Sequence, residues 1–160
     1  MQIKVTTLEQ TQKLAEQLAR NLQAGTVIAL NGELGSGKTT FARFLAKACG
    51  STDNVRSPTF NLLNIYTDGT WPIYHFDFYR LNSRADLENI GGLDFIPSQD
   101  GVTLIEWAEK FPEILPEAYL EIRIALEEEM RVFDFISYGR EKRLLNIGRP
   151  LENPSKPKNS

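Results

Sequence analysis

Apolar positions along this chain fall into two periods, and the alternation between them predicts the order of its elements. From about Leu8 to Gln23, the residues Leu8, Leu14, Ala15, Leu18, Ala19 and Leu22 lie near one helical stripe. Thr7, with Gln10 three residues later, has the pattern of a capping box that starts the helix, and Gly25 ends it. Thr26-Val27-Ile28-Ala29-Leu30 is a short apolar run rich in branched residues, which predicts a strand buried on both faces. A glycine-rich turn follows at once. From Lys38 to about Cys49 the period is helical again, with Phe41, Phe44, Leu45 and Ala48 on one side and Gly50 as the stop.

The second half reads mainly as strands. Pro58 disfavours helix at Ser57, so 54–59 is expected to be a loop, with a strand from Phe60 to Tyr66 after it. Asp68-Gly69 is a hairpin signal, and Ile73 to Phe78 is the expected antiparallel return. Ser83 with Asp86 can cap a short helix ending near Gly91-Gly92. Val102 to Ile105 is a compact apolar strand closed by Glu106. In Tyr119 to Ala125, Leu120, Ile122 and Ile124 alternate with Glu121 and Arg123, the pattern of a sheet with one wet face. A partner strand from about Arg131 to Ser137 is expected, and a last one at Leu144 to Ile147.

Composition narrows the class. The chain has 160 residues, 41% hydrophobic and 24% charged, the balance of a single globular domain, which we place at residues 1–148. From Arg149 to Ser160 there is almost nothing to bury, and a disordered tail is expected. Lys and Arg total 18 against 21 Asp and Glu, a net charge of −3, which is not the basic footprint of a protein that grips nucleic acid unaided. Any RNA contact is therefore expected to run through a partner. The start Met1-Gln2-Ile3-Lys4-Val5 lacks an apolar signal core, and no run approaches the roughly 18 apolar residues needed to cross a bilayer, so a cytoplasmic protein with no membrane partner is expected. Cys49 is the only cysteine, which excludes an internal disulfide and a multi-cysteine metal site; it reads as a small buried side chain.

The turn carries the chemistry. Gly32-Glu33-Leu34-Gly35-Ser36-Gly37-Lys38-Thr39 matches G-x-x-x-x-G-K-[ST], between a predicted strand and a predicted helix. Glycines there let successive N–H groups point into one cavity and surround a β-phosphate, and the following helix adds its positive end. Lys38 is placed to bridge β- and γ-phosphates, and the Thr39 hydroxyl to ligate Mg2+. Thr40 can contact the α-phosphate. An ordinary glycine turn before a surface helix is the competing reading.

Magnesium also needs an acidic residue on a nearby strand tip, because it is a hard cation that takes oxygen ligands. Glu106, ending its strand at the carboxyl edge of the sheet, is one candidate, with a solvated strand end as its bland alternative. Asp77 is the other. It interrupts a strand crowded with aromatics and needs a metal, a pair with Arg80 or a backbone amide to offset its desolvation. Ser57-Pro58-Thr59-Phe60, about twenty residues after Lys38, is placed where phosphate-sensing loops approach the γ-phosphate. His75, the only histidine, reads more readily as a hydrogen-bonded core residue than as a base, and one histidine cannot make a zinc site.

These pieces in this order resemble the TsaE family, also called YjeE: the loop Gly32 to Thr40, then Ser57-Pro58-Thr59-Phe60, then His75-Phe76-Asp77-Phe78-Tyr79-Arg80-Leu81, then Ile105-Glu106-Trp107. The resemblance runs from about Thr7 to Ile136. It implies an α/β, three-layer P-loop NTPase fold with a mixed central sheet flanked by helices. It also implies a Mg-dependent ATPase needed to form N6-threonylcarbamoyladenosine beside the anticodon of tRNAs that read codons beginning with A. The cofactors would be ATP and Mg2+, and the partners TsaD and TsaB, a complex that the ATP cycle resets while transfer itself happens elsewhere. Carried over by position, Thr39 and Glu106 look like magnesium ligands, and Asp77 like a second acidic group essential to hydrolysis. Gly35, Ser36, Gly37, Lys38, Thr39 and Thr40 would hold the nucleotide, Lys38, Asp77 and Glu106 would be the catalytic set, and Ser57 and Thr59 fall in the switch segment. Trp107 is the aromatic beside the acid, and Thr11 and Arg131 fall near nucleotide-contacting positions. Ala108 stands where the family often has proline. The alternative class is a P-loop small-molecule kinase, but such enzymes add a lid carrying arginines, and Leu81 to Gln99 offers only Arg84. No Asn-Lys-x-Asp segment is present to read guanine.

Overall fold

The computed structural model describes residues 1–139 together with Leu144 and Leu145. Its strands are β1 (Gln2–Val5), β2 (Val27–Asn31), β3 (Leu63–Tyr66), β4 (Ile73–Asp77), β5 (Val102–Glu106), β6 (Tyr119–Glu127) and β7 (Met130–Tyr138). Its helices are α1 (Leu8–Ala19), α2 (Lys38–Ala48) and α3 (Arg84–Asn89), with 3-10 turns at Leu93–Phe95, Ala108–Lys110 and Pro112–Ile114. The strands form one sheet in the order β1-β7-β6-β2-β5-β4-β3. Its centre is parallel, β2 lying between β5 and β6 and β4 beside β5. The flanks are antiparallel, β1 on β7, β7 on β6 and β3 on β4.

Strand β2 shows why two layers cover this sheet. All five of its residues are buried, and they divide by parity. Ile28 and Leu30 join the core under α1 and α2, while Val27 and Ala29 join the opposite core with Phe76, Phe78, Leu87 and Phe111. Helix α1 buries Thr11, Leu14, Ala15 and Leu18, and α2 buries Phe41, Ala42, Leu45 and Ala46. Each fully buried Leu or Phe in such a layer contributes about 1.5–3 kcal/mol, so the central strand is fixed from both sides. The result is the expected three-layer P-loop fold. Its second helical layer is thin, being α3 and the short turns. No helix among the described residues is long and apolar enough to cross a membrane.

Capping follows the sequence closely. Thr7 accepts the Gln10 amide and the Gln10 side chain returns to the Thr7 amide, and Ser83 and Asp86 do the same for α3. Other boundaries move. Helix α1 stops at Ala19, although the apolar stripe runs on to Leu22, because the chain turns there and still buries Leu22. Leu8 is in the first turn and lies exposed. Strand β3 starts at Leu63 rather than Phe60, since Leu62 takes a left-handed φ of 63° and its amide turns back to the Pro58 carbonyl. Strand β1, unannounced by any long apolar run, pairs with β7 from Gln2↔Asp134 to Val5↔Arg131. Leu144 and Leu145 take a 3-10 turn where a strand was expected, and the remainder of that stretch and the tail from Arg149 lie outside the described residues.

Register then brings the acidic residues together. Glu106 is level with Leu30 of β2 on one side and with Asp77 of β4 on the other. Ile73, Val102 and Leu104 face α1 and α2, so the two-residue period sends His75, Asp77 and Glu106 to that same face. They meet it where α2 begins.

Candidate functional site

The loop between β2 and α2 is shaped by glycine. Gly32, Gly35 and Gly37 take φ values of 146°, 79° and 111°, a region that side chains on the Cα disfavour. A Cβ at Gly32 would lie 2.3 Å from the Ile124 carbonyl oxygen of β6, so only glycine fits. Gly37 stands at the N-cap of α2 with no side chain to cap the helix, and no acidic residue follows in the first turn. The positive end of α2 is left for an external anion.

Lys38 is folded back over this loop. Its ammonium donates to the carbonyls of Gly32 at 2.6 Å and Glu33 at 2.9 Å, and sits 4.0 Å above the centre of the Trp107 ring. Burial pulls its pKa down, while the carboxylates of Glu106, Glu109 and Asp77 oppose that shift. Trp107 holds its place through a left-handed backbone at φ 60° and contact with the Tyr79 ring. Arg131, at the start of β7, donates from Nε to the Ser36 carbonyl at 3.1 Å and so buttresses the loop from the other side.

Two buried carboxylates face the head of α2. Both oxygens of Glu106 accept from the Thr39 hydroxyl, at 3.0 and 2.9 Å, and Oε1 also meets His75 Nε2 at 2.8 Å. Glu106 is only 2% exposed, so it is not a solvated strand end. Asp77 Oδ2 accepts from the hydroxyls of Ser57 at 2.9 Å and Thr59 at 2.7 Å, and its Oδ1 accepts the Tyr79 amide at 2.9 Å. Of the two structural partners open to Asp77, the backbone amide is used. Arg80 instead lies over the exposed ring of Phe60, 4.3 Å from its centre. Ser57 and Thr59 also bond one another through their hydroxyls.

Between these groups lies a cleft of about 300 Å³. From the loop and helix side it is lined by Gly35, Gly37, Lys38, Thr39 and Thr40. From the other side come Ser57, Thr59, Asp77, Glu106, Trp107 and Arg131, so eleven of the residues singled out from sequence share one wall or another. Leu34 and Tyr79 complete it, and neither was singled out. Ser36 is buried on the far side of the loop, beside a larger cavity of about 590 Å³ that runs along Ile124 to Leu126 and lacks the carboxylate and threonine pair. Thr11 is not in the cleft; its hydroxyl is bonded to the Thr7 carbonyl at 3.2 Å within α1. His75, expected as a hydrogen-bonded core residue, is one, buried behind Glu106; Tyr66, which lies 3.4 Å from its Nδ1, was not singled out. The parity of β4, which puts His75 on the face of Asp77, was the signal available for its place beside the site.

A mostly parallel central sheet, with a glycine loop leading from a buried strand into a helix and two carboxylates at the same strand edge, defines a protein of the P-loop NTPase fold class. Comparison with known proteins narrows it. Residues 5–133 match the family model described as Threonylcarbamoyl adenosine biosynthesis protein TsaE. Proteins named tRNA threonylcarbamoyladenosine biosynthesis protein TsaE from Rickettsia felis and Bacillus subtilis are 38% and 37% identical to it. The first alignment covers 87% of this chain and 81% of the relative, the second 86% and 85%. The crystal structure of Bacillus subtilis YdiB superposes with a TM-score of 0.77 at 32% identity, covering 91% of this chain and 90% of that one. The chain belongs to the TsaE family.

Proposed function

We propose that this chain is a magnesium-dependent ATPase that serves formation of threonylcarbamoyladenosine in tRNA, acting in the cytoplasm on a TsaD–TsaB complex rather than performing the transfer. Family membership supports the tRNA role, and the chemistry of the cleft supports the nucleotide. The observation that carries the reading is the Thr39 hydroxyl bracketed by both oxygens of buried Glu106 at the uncapped head of α2.

The residues fit the groups the reading requires. Magnesium takes oxygen ligands and keeps several waters, so one hydroxyl and one or two carboxylates beside phosphates suffice. Among the described residues no cluster of three or more His, Cys, Asp or Glu forms a self-sufficient metal cage. Thr39 and Glu106 would hold Mg2+, with Asp77 next to them across the strand register. When bound, the ion neutralises charge on the β- and γ-phosphates and orients them.

The other side chains bind and orient. Lys38 exchanges the two carbonyls it now holds for phosphate oxygens, and the loop amides and the head of α2 surround the remaining charge. Trp107 and Tyr79 wall the cleft and limit water. Ser57 and Thr59, gathered on Asp77, place a segment beside the γ-phosphate end that can rearrange when that group leaves. Stabilisation of this kind is often completed by a partner, so turnover by the isolated chain is expected to be slow.

The test is to measure phosphate release by the purified chain alone and with TsaD and TsaB, while following threonylcarbamoyl transfer to tRNA. The expected result is Mg-dependent hydrolysis that rises with the partners, and repeated transfer only when all three proteins and ATP are present. Transfer that proceeds repeatedly without this chain, or phosphate moved from ATP to a small acceptor, would overturn the reading.

A further inference from the structure

His75 is completely buried, yet it is not packed as an inert core side chain. Its Nε2 lies 2.8 Å from Oε1 of Glu106, a carboxylate that is itself buried and acts only as an acceptor when ionised, so Nε2 carries the hydrogen and donates. Its Nδ1 lies 3.4 Å from the hydroxyl of Tyr66 on β3. That hydroxyl in turn donates to the Arg56 carbonyl at 3.1 Å, one residue before Ser57. The ring of Tyr66 packs 6.1 Å from the imidazole. With Nε2 carrying the hydrogen, Nδ1 can only accept, and the single Tyr66 hydroxyl hydrogen goes to Arg56. Hydrogen bonds therefore run from Thr39 through Glu106 to His75, and the Tyr66 ring packs the imidazole next to the start of the 57–59 segment.

We infer that His75 is a positioning residue, which fixes the Glu106 carboxylate toward Thr39 and is itself held by packing against Tyr66, whose hydroxyl grips the backbone at Arg56. The inference rests on the proposed Mg·ATP reading and deepens it. Three features distinguish it from core filling. A buried carboxylate with two oxygens has two donors here, Thr39 and His75, and loss of either leaves it underpaired and free to rotate. The parity of β4 puts His75 and Asp77 on one face, so a single strand supports both carboxylates that face the cleft. The 57–59 segment is also gripped at both ends, by Tyr66 at the Arg56 carbonyl and by Asp77 at the hydroxyls of Ser57 and Thr59. Groups that orient a metal-binding carboxylate in this way typically change metal affinity or turnover by about 10–100-fold when removed.

The experiment compares His75→Ala, His75→Gln and Tyr66→Phe in the full chain. It measures calorimetric binding of ATP across a Mg2+ titration, turnover with separate kcat and KM, and tryptic cleavage after Arg56. In His75→Ala the Mg2+ concentration for half-maximal nucleotide binding should rise about tenfold, and kcat should fall by more than KM changes. His75→Gln, which restores a buried N–H donor of similar reach, should recover most of both. Tyr66→Phe keeps the ring and should leave the Mg2+ midpoint within about threefold of the original, while cleavage after Arg56 becomes faster. Should His75→Ala fail to fold, His75→Gln and Tyr66→Phe still decide the matter through the Mg2+ midpoint and the cleavage rate. An unchanged Mg2+ midpoint in folded His75→Ala, a His75→Gln as impaired as the alanine variant, or an unaltered cleavage rate in Tyr66→Phe would each overturn the inference. If the unsubstituted chain itself binds no Mg·ATP, it is the underlying functional reading that fails.

Discussion

Two of the stretches that face the cleft, one before α2 and one before β3, are secured by different means. The loop Gly32 to Thr39 is held at its backbone. It passes so close to β6 that no Cβ fits at Gly32, Lys38 stitches two of its carbonyls, and Arg131 holds a third. The segment Ser57 to Thr59 lies across from it in a loop, and it is held by hydroxyls on one carboxylate and by the Tyr66 hydroxyl on the Arg56 carbonyl. Phe60, next along, is 81% exposed. The difference is between a cradle whose shape is built into the fold and a clasp that a few polar contacts can open. A nucleotide site that must bind at one end and report hydrolysis at the other needs both kinds of attachment.

Substitutions can break this contrast, beginning with the strongest. Lys38→Ala removes the one ammonium in the cradle, and ATP turnover is expected to fall by roughly 10²–10³-fold with the fold intact by circular dichroism. Gly32→Ala should destabilise the protein by about 3 kcal/mol in urea unfolding, since a methyl would meet the Ile124 carbonyl in a backbone conformation already adverse to it. Little or no loss would mean the cradle is as adjustable as the clasp. Asp77→Ala deprives two hydroxyls and one amide of their acceptor. Hydrogen exchange at the Tyr79 amide should accelerate by about tenfold or more, from the loss of its charge-assisted bond, and tryptic cleavage after Arg56 should quicken, while the Ser36 amide in the cradle keeps its protection. Equal acceleration at both amides would remove the distinction. Phe60→Ala should shift stability by less than about 0.5 kcal/mol, because the residue is mostly exposed and the Arg80 guanidinium lies over its ring at the surface.

The same contrast explains what the sequence could reveal. The cradle was legible because everything that makes it is local: a buried strand, glycines at fixed offsets, a lysine and a helical stripe, all within 27–48. The clasp was legible only as separate parts. Asp77, Ser57 and Thr59 could each be named, but their meeting depends on the β3–β4 register, which sets Leu63 opposite Phe76, and on the turn at Leu62 that folds 57–59 back toward Asp77. The left-handed Leu62, which delays β3, had no glycine or asparagine to announce it. Strand β1 was hidden for a similar reason, since four residues with two apolar ones gain their stability only from pairing with β7. His75 was read from its neighbours in sequence, whereas its partners Glu106 and Tyr66 are on other strands.

The claim at the centre is that the loop and the Thr39–Glu106 pair together receive a magnesium triphosphate. Isothermal titration of Mg·ATP into the full chain tests it most directly. The account predicts saturable binding at one site per chain, weakened when Mg2+ is chelated and lost in Lys38→Ala. Absence of heat with any magnesium nucleotide, or binding that survives Lys38→Ala unchanged, would contradict it.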